Sequence, residues 1–218
     1  MQFLDLHTHQ QQNNPGTRQI LSLSLTGGMH SIPPGNPDVS IGLHPWFATL
    51  ENFAADYSIL AKLAGEEQVK MIGECGLDRM KGAPVEEQLI MLRKQILLAA
   101  EVNKPAILHC VKCFDELMAL QKSLKPTVPL IVHGFNKHEE LGQQLMDKGF
   151  YLSFGKAILN ASSGAAKLLK NSSVFFLETD DADCGITEIY QAAANLKNCT
   201  VDEMQALVFT SWDKINLI

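Results

Sequence analysis

Short apolar runs recur along this chain, and residues that bind divalent metals close them. Phe3-Leu4 precedes the pair His7 and His9. Residues 69–72 precede Glu74, 106–108 precede His109, 130–132 precede His133, and 174–177 precede Glu178-Thr179-Asp180. A short apolar run bounded by turn signals reads as a buried strand. A polar ligand where such a strand stops reads as a site residue at the C-terminal rim of a barrel. The pattern therefore constrains the fold and the class of chemistry together.

The runs predict eight strands, near residues 2–6, 19–25, 38–43, 69–74, 106–110, 130–133, 150–154 and 174–179. Helical patterns lie between most of them. Residues 85–102 carry Leu89, Leu92, Ile96 and Ala100 on one face before Asn103 and Pro105 stop the pattern. Residues 137–148 place Leu141 and Leu145 together and end at Gly149, a helix-stop glycine. Thr200 and Glu203 form a capping box that opens a last helix. Strands alternating with helices imply parallel βαβ units, and eight units imply a (β/α)8 TIM-like barrel.

The first third departs from this rhythm. Residues 10–18 and 26–37 carry Pro and Gly and no apolar stripe, so neither segment reads as helix. The expected barrel is abbreviated, with outer helices missing after the first two strands. A chain of 218 residues, without internal repeat or linker, fits one such domain over residues 1–218.

Composition narrows the function classes. At 46% hydrophobic and 19% charged, the chain buries a core and is not disordered. A net charge of −6 argues against coating nucleic acid through bulk electrostatics. A local cationic site stays open, because bound metal ions bring positive charge that the count omits. The N-terminal MQFLDLHTH lacks the layout of a signal peptide. No apolar run approaches the roughly 18 residues of a membrane span. Five cysteines, an odd number, without a secretion signal predict reduced thiols and a cytoplasmic location. The pair Cys110 and Cys113 lacks the second CxxC of a zinc knuckle and reads as small buried cysteines.

The chemistry begins at His7-Thr8-His9. Residues two apart on a strand point to one side, so both imidazoles can reach one ion, with Asp5 on that side as a supporting partner. Glu74 offers a carboxylate able to bridge two ions. His109 and His133 add neutral nitrogens, and Asp180 can bind metal and take a proton. His30 and His138 fall outside the pattern and read as solvated. A mixed nitrogen and oxygen set suits zinc or manganese, with magnesium where carboxylates and water dominate. One or two such ions per chain would activate water for hydrolysis without a serine or cysteine nucleophile.

The motifs Asp5-Leu6-His7-Thr8-His9, Gly42-Leu43-His44-Pro45, Ile72-Gly73-Glu74-Cys75-Gly76-Leu77-Asp78, Leu108-His109, His133-Gly134-Phe135 and Glu178-Thr179-Asp180 resemble the successive motifs of the TatD family. That family comprises metal-dependent hydrolases of the amidohydrolase superfamily, and its characterised members are deoxyribonucleases. The resemblance implies that His7, His9, Glu74 and Asp180 hold a first metal. It implies that Glu74, His109 and His133 hold a second, with Glu74 shared. Asp180 then orients or deprotonates the attacking water, and the implied substrate is DNA, single-stranded or frayed. No obligate protein partner and no membrane is implied.

His44 is a candidate contact to substrate phosphate, or a turn residue before Pro45. Arg79 and Lys112 are candidate phosphate contacts. Trp46 and Phe135 offer rings for base stacking or for packing. Asp78 either holds a ligand histidine in its tautomer or caps the following loop. The family usually carries an arginine two residues after the histidine matched by His109, where this chain has Val111 and then Lys112. After Asp180 the family's proline turn is replaced by Asp181-Ala182-Asp183-Cys184. Weak cationic lining and this acidic turn fit a second reading, hydrolysis of a small amide, lactone or phosphate ester. A third reading, a non-catalytic binding protein, leaves the complete ligand set without a purpose.

Overall fold

The computed structural model describes residues 1–11, 14–26, 31–33, 35 and 37–218. Its strands are β1 (Phe3–Thr8), β2 (Thr17–Ser24), β3 (Val39–Gly42), β4 (Val69–Asp78), β5 (Ala106–Val111), β6 (Leu130–Val132), β7 (Phe150–Phe154) and β8 (Phe176–Leu177). Its helices are α1 (Leu50–Leu63), α2 (Val85–Glu101), α3 (Phe114–Leu124), α4 (Glu139–Asp147), α5 (Gly164–Asn171), α6 (Ile186–Lys197) and α7 (Val201–Lys214), with a 3-10 turn at Lys156–Leu159. The eight strands follow chain order through the sheet. The pairs β1–β2, β3–β4, β4–β5 and β7–β8 are parallel. The last strand's exit meets the first through a parallel bridge between Thr8 and Asp180. This is a (β/α)8 TIM-like barrel. Among the described residues no helix lies between β1 and β2 or between β2 and β3, as the Pro and Gly content of those segments implies.

Two compact units make up the chain. One joins Met1–Leu21 to Val132–Ile218, and the other is Ser22–Ile131. In the first, β1, β7 and β8 are almost wholly buried, as expected for strands covered on both faces. The phenol of Tyr190 on α6 accepts from the Leu4 N–H at 3.0 Å and donates to the Leu4 C=O at 3.1 Å. The Arg18 guanidinium donates to the Leu217 C=O at 3.2 Å and lies over the Trp212 ring. α7 starts at the expected capping box, with Thr200 accepting from Glu203 N–H and Glu203 from Thr200 N–H.

In the second unit, β4 runs four residues beyond the expected stop at Glu74. Past that point Gly76, Leu77 and Asp78 pair with His109, Cys110 and Val111 of β5. Gly76 is required there: at φ +157° a Cβ would lie 1.9 Å from the His109 carbonyl oxygen. Helix α2 buries the expected Leu92 and Ile96, together with Met91, Leu98 and Ala99. The same face buries two glutamines, Gln88 and Gln95. Their side-chain amides satisfy backbone groups at the ends of β3 and β4, as buried polar groups must. Of the pair read as small buried cysteines, Cys113 is buried and Cys110 is only half-buried. No helix among the described residues is long and apolar enough to cross a membrane.

Candidate metal centre

The first unit gathers His7, His133 and Asp180, whose ligand atoms lie within 4.8 Å of one another. Backbone pairing sets their places. The Asp180 N–H donates to the His7 C=O at 2.8 Å, and the His9 N–H donates to the Asp180 C=O at 3.2 Å. Asp180 itself adopts φ 54°, a left-handed conformation that Asp tolerates better than most residues. Its Oδ1 stands 3.6 Å from His7 Nε2 and 3.4 Å from His9 Nε2. His7 is fully buried, whereas His9 is exposed past the strand end. The His7 and His133 rings approach to 4.4 Å between centroids.

Two further carboxylates lie close to this group. Glu178 is wholly buried; its Oε1 accepts from Gly134 N–H at 2.6 Å and lies 3.5 Å from His133 Nδ1. Burial alone would raise its pKa, but His133 and His7 outweigh that and hold it below the usual carboxylate range. A charged carboxylate behind a ligand imidazole fixes its tautomer and orientation. The contact with His133 gives Glu178 such a supporting position. Asp5 behaves differently. Its carboxyl accepts from Thr179 N–H at 3.0 Å and from Thr179 Oγ1 at 2.6 Å. Burial pushes its pKa up to about 7 against those hydrogen bonds.

The second unit gathers His44, Glu74 and His109, also within 4.8 Å. Glu74 Oε1 stands 3.0 Å from His44 Nε2 and 2.8 Å from His109 Nδ1. His44 Nδ1 accepts from the Trp46 N–H at 3.2 Å, so Nε2 carries the proton and donates to Glu74. His44 is thus a buried partner of Glu74. His109 Nε2 lies 3.1 Å from Asp78 Oδ2, the same oxygen that accepts from Trp46 Nε1–H at 2.6 Å. Asp78 Oδ1 accepts from Met80 N–H at 2.7 Å. Asp78 therefore does both things weighed for it, orienting a histidine and capping the loop. Burial works to raise its pKa, but the hydrogen bonds from Trp46, Met80 and His109 lower it overall.

Two glutamines that sequence reading passed over hold this cluster in place. Gln95 Oε1 accepts from Leu43 N–H at 2.8 Å, next to His44. Gln88 accepts from Asp78 N–H at 2.7 Å and donates to Asp78 C=O at 2.9 Å and Ala83 C=O at 2.6 Å. The signal was present: both glutamines fall on the apolar stripe of α2, seven residues apart.

The remaining candidates divide. Arg79 is exposed, pairs with Glu116 and donates from Nε to the Lys112 C=O at 2.9 Å. The Lys112 side chain is exposed. Trp46 is partly exposed, while Phe135 is buried in the core, which removes it as a stacking ring. His138 is exposed, yet its Nδ1 caps α4 by accepting from Leu141 N–H. His30 lies outside the described residues. Among the described residues the groups able to hold an ion contain no cysteine.

The family profile described as TatD related DNase matches residues 35–215. The chain belongs to the TatD family. A Bacillus subtilis protein described as an uncharacterized metal-dependent hydrolase, YabD, is 35% identical over 118 residues, 53% of this chain and 46% of that one. The 3'-5' ssDNA/RNA exonuclease TatD of Cronobacter sakazakii is 36% identical over 114 residues, 51% of this chain and 43% of its own length. The chain thus spans about half the length of the curated TatD relatives it matches. Among solved structures, YJJV, a TatD homologue from Escherichia coli K12, superposes with a TM-score of 0.79 at 18% identity, covering 99% of this chain and 98% of its own. A TatD family hydrolase from Entamoeba histolytica gives 0.75 at 16% identity, with 98% and 97% covered. These likenesses confirm the TatD barrel.

Proposed function

We propose that this chain is a divalent-metal-dependent phosphodiesterase acting on single-stranded DNA. The observation that carries the reading is the gathering of imidazoles and carboxylates at the motif positions of the family, in each of the two units. The donors are chemically suited to the group: neutral imidazole nitrogens with carboxylate oxygens match zinc or manganese, and thiolates are not involved. The ligand set proposed is the one the motifs implied, His7, His9, Glu74 and Asp180 for one ion and Glu74, His109 and His133 for a second. A divalent ion, when bound, supplies Lewis acidity that polarises a phosphoryl oxygen and eases deprotonation of the attacking water.

The chain's own residues do the rest. Asp180, about a third exposed, is the carboxylate that takes a proton from the attacking water. Asp78 receives the Nε2–H of His109 and so keeps Nδ1 as the ligand nitrogen. The Glu178 carboxylate, 3.5 Å from His133 Nδ1, favours a proton on that nitrogen and so leaves Nε2 to bind. Arg79 must release Glu116 before it can reach a phosphate, whereas Lys112 is available. A cytoplasmic location belongs to the same reading.

The acidic turn after Asp180 supports a second reading, a small phosphate ester, amide or lactone as substrate. Its Asp181 and Asp183 are exposed, although Lys156 Nζ stands 3.7 Å from Asp181 and offsets one charge. The test is a cleavage assay of the purified protein with manganese or magnesium, on single-stranded DNA, RNA and a panel of small esters, lactones and amides. DNA cleavage that needs metal and disappears in both His109→Ala and Asp180→Asn is the expected result. Cleavage that survives both substitutions, or turnover confined to the small-molecule panel, overturns the DNA reading.

A further inference from the structure

Two large rings stand in the open beside the His44–Glu74–His109 cluster. Phe47 is 60% exposed and Trp46 38% exposed, an unusual cost for residues that follow a buried histidine. Their positions are fixed. The Trp46 indole N–H is tied to Asp78 Oδ2, and its ring stands edge-on to His109 with centroids 5.5 Å apart. Phe47 leans on His44, centroids 5.5 Å apart and planes 41° apart. The two rings meet at 77° and 6.2 Å, which makes a corner with Phe47 as floor and Trp46 as wall.

A cation completes the corner. Lys81 Nζ lies 3.8 Å from the Trp46 ring centroid, a cation–π contact. Its loop reaches that position because Gly82, at φ +82°, lets the backbone pass the Pro45 carbonyl, where a Cβ would stand 2.0 Å from the oxygen. Exposed rings next to a lysine are the elements with which proteins hold unpaired strands, since every base has a π-face and every linkage a negative charge. A duplex hides its base faces and could not use the Phe47 floor.

We propose that Phe47 and Trp46 form a base-stacking seat for one unpaired nucleotide of the substrate strand, with Lys81 meeting a neighbouring phosphate. The seat makes the site selective for strands with exposed bases. It rests on the phosphodiesterase reading and names how that substrate is gripped.

The chain has two tryptophans, and Trp212 is fully buried, so quenching of fluorescence by a ligand reports Trp46. The protein, in buffer with calcium and without manganese or magnesium, is titrated with decathymidylate and with an abasic decamer of the same backbone. The expected result is quenching by the thymidylate strand, with the abasic strand bound at least about tenfold more weakly, as loss of a stacked base predicts. Phe47→Ala removes about the same factor for thymidylate and leaves the abasic affinity where it was. Phe47→Tyr, which keeps a ring, restores the preference, and Lys81→Ala weakens both strands alike. Equal binding of the two strands, no binding of either, or an equal loss for both in Phe47→Ala overturns the proposal. Cleavage of the same thymidylate strand with manganese is measured in parallel. Base-dependent binding without cleavage sinks the phosphodiesterase reading alone, and cleavage without base preference sinks only the seat.

Discussion

The two histidine–carboxylate clusters are built by different means. In the unit that joins the chain ends, backbone hydrogen bonds between the exits of β1 and β8 put His7, His9 and Asp180 together. In the other, side chains do the positioning: Asp78 bonds His109 and Trp46, His44 bonds Glu74, and two glutamines of α2 pin the loops. Backbone pairing tolerates side-chain change, because each ligand's place is set by register. A side-chain network fails in pieces, because each member's geometry depends on the next. The first cluster should therefore respond to loss of a ligand or of Glu178 behind His133, and the second also to loss of the glutamines that brace it.

The largest expected effect falls on a proposed ligand. Asp180→Asn should lower kcat by roughly 10²–10⁴-fold, the range for loss of a general base, with melting temperature little changed. A fall in stability as large as the fall in rate would show that Asp180 acts through the fold. Next come the carboxylates behind the ligand histidines. Asp78→Asn and Glu178→Gln should each cost about 10–100-fold in metal affinity or activity. Metal titration followed by calorimetry checks this, and unchanged affinity in Asp78→Asn would break the contrast drawn between the clusters.

Removal of a glutamine support should be felt as stability. Gln95→Leu leaves the Leu43 N–H and C=O buried without their partner, at a cost of about 1–3 kcal/mol. Urea unfolding measures it, and a neutral result would mean that the His44 loop is held by other contacts. The smallest effect concerns pH. Folded Asp5 titrates near 7, well above the ordinary carboxylate value of 3.8, so between those limits the folded state holds a proton that the unfolded chain has released. The stability Asp5 contributes is present below the lower value and is lost as pH rises through the upper one. In metal-free buffer, Asp5→Asn should gain on the parent by at most about 1.4 kcal/mol per pH unit across pH 5–6. Parallel pH profiles would show that Asp5 is already ionised.

Legibility in the sequence followed the same division. His7, His109, His133 and Asp180 could be placed because each closes an apolar run, a local signal that survives without any knowledge of contacts. Among the described residues, the absence of helix on either side of β2 was legible for the same reason, through Pro and Gly. β4 extends beyond its expected end at Glu74 because Gly76, without a Cβ, lets β5 approach, and that pairing is a long-range contact with no local signal. Gln88 and Gln95 were overlooked because a polar residue on an apolar stripe looks like noise until its backbone partner is known. Phe135 and Trp46 could not be separated by type; only burial distinguishes the core ring from the open one.

The spacing of the partners along the chain has a consequence for synthesis. His44, Glu74 and His109 lie within one stretch, Ser22–Ile131, whereas Thr8 and Asp180 are 172 residues apart. Every residue of the glutamine-braced cluster has been synthesised while the residues after Ile131 are still unmade. The His7 and His9 pair must wait for its carboxylate until residue 180 has been added, and a translation product that stops between Ile131 and Asp180 holds every residue of the one cluster and lacks the acid of the other.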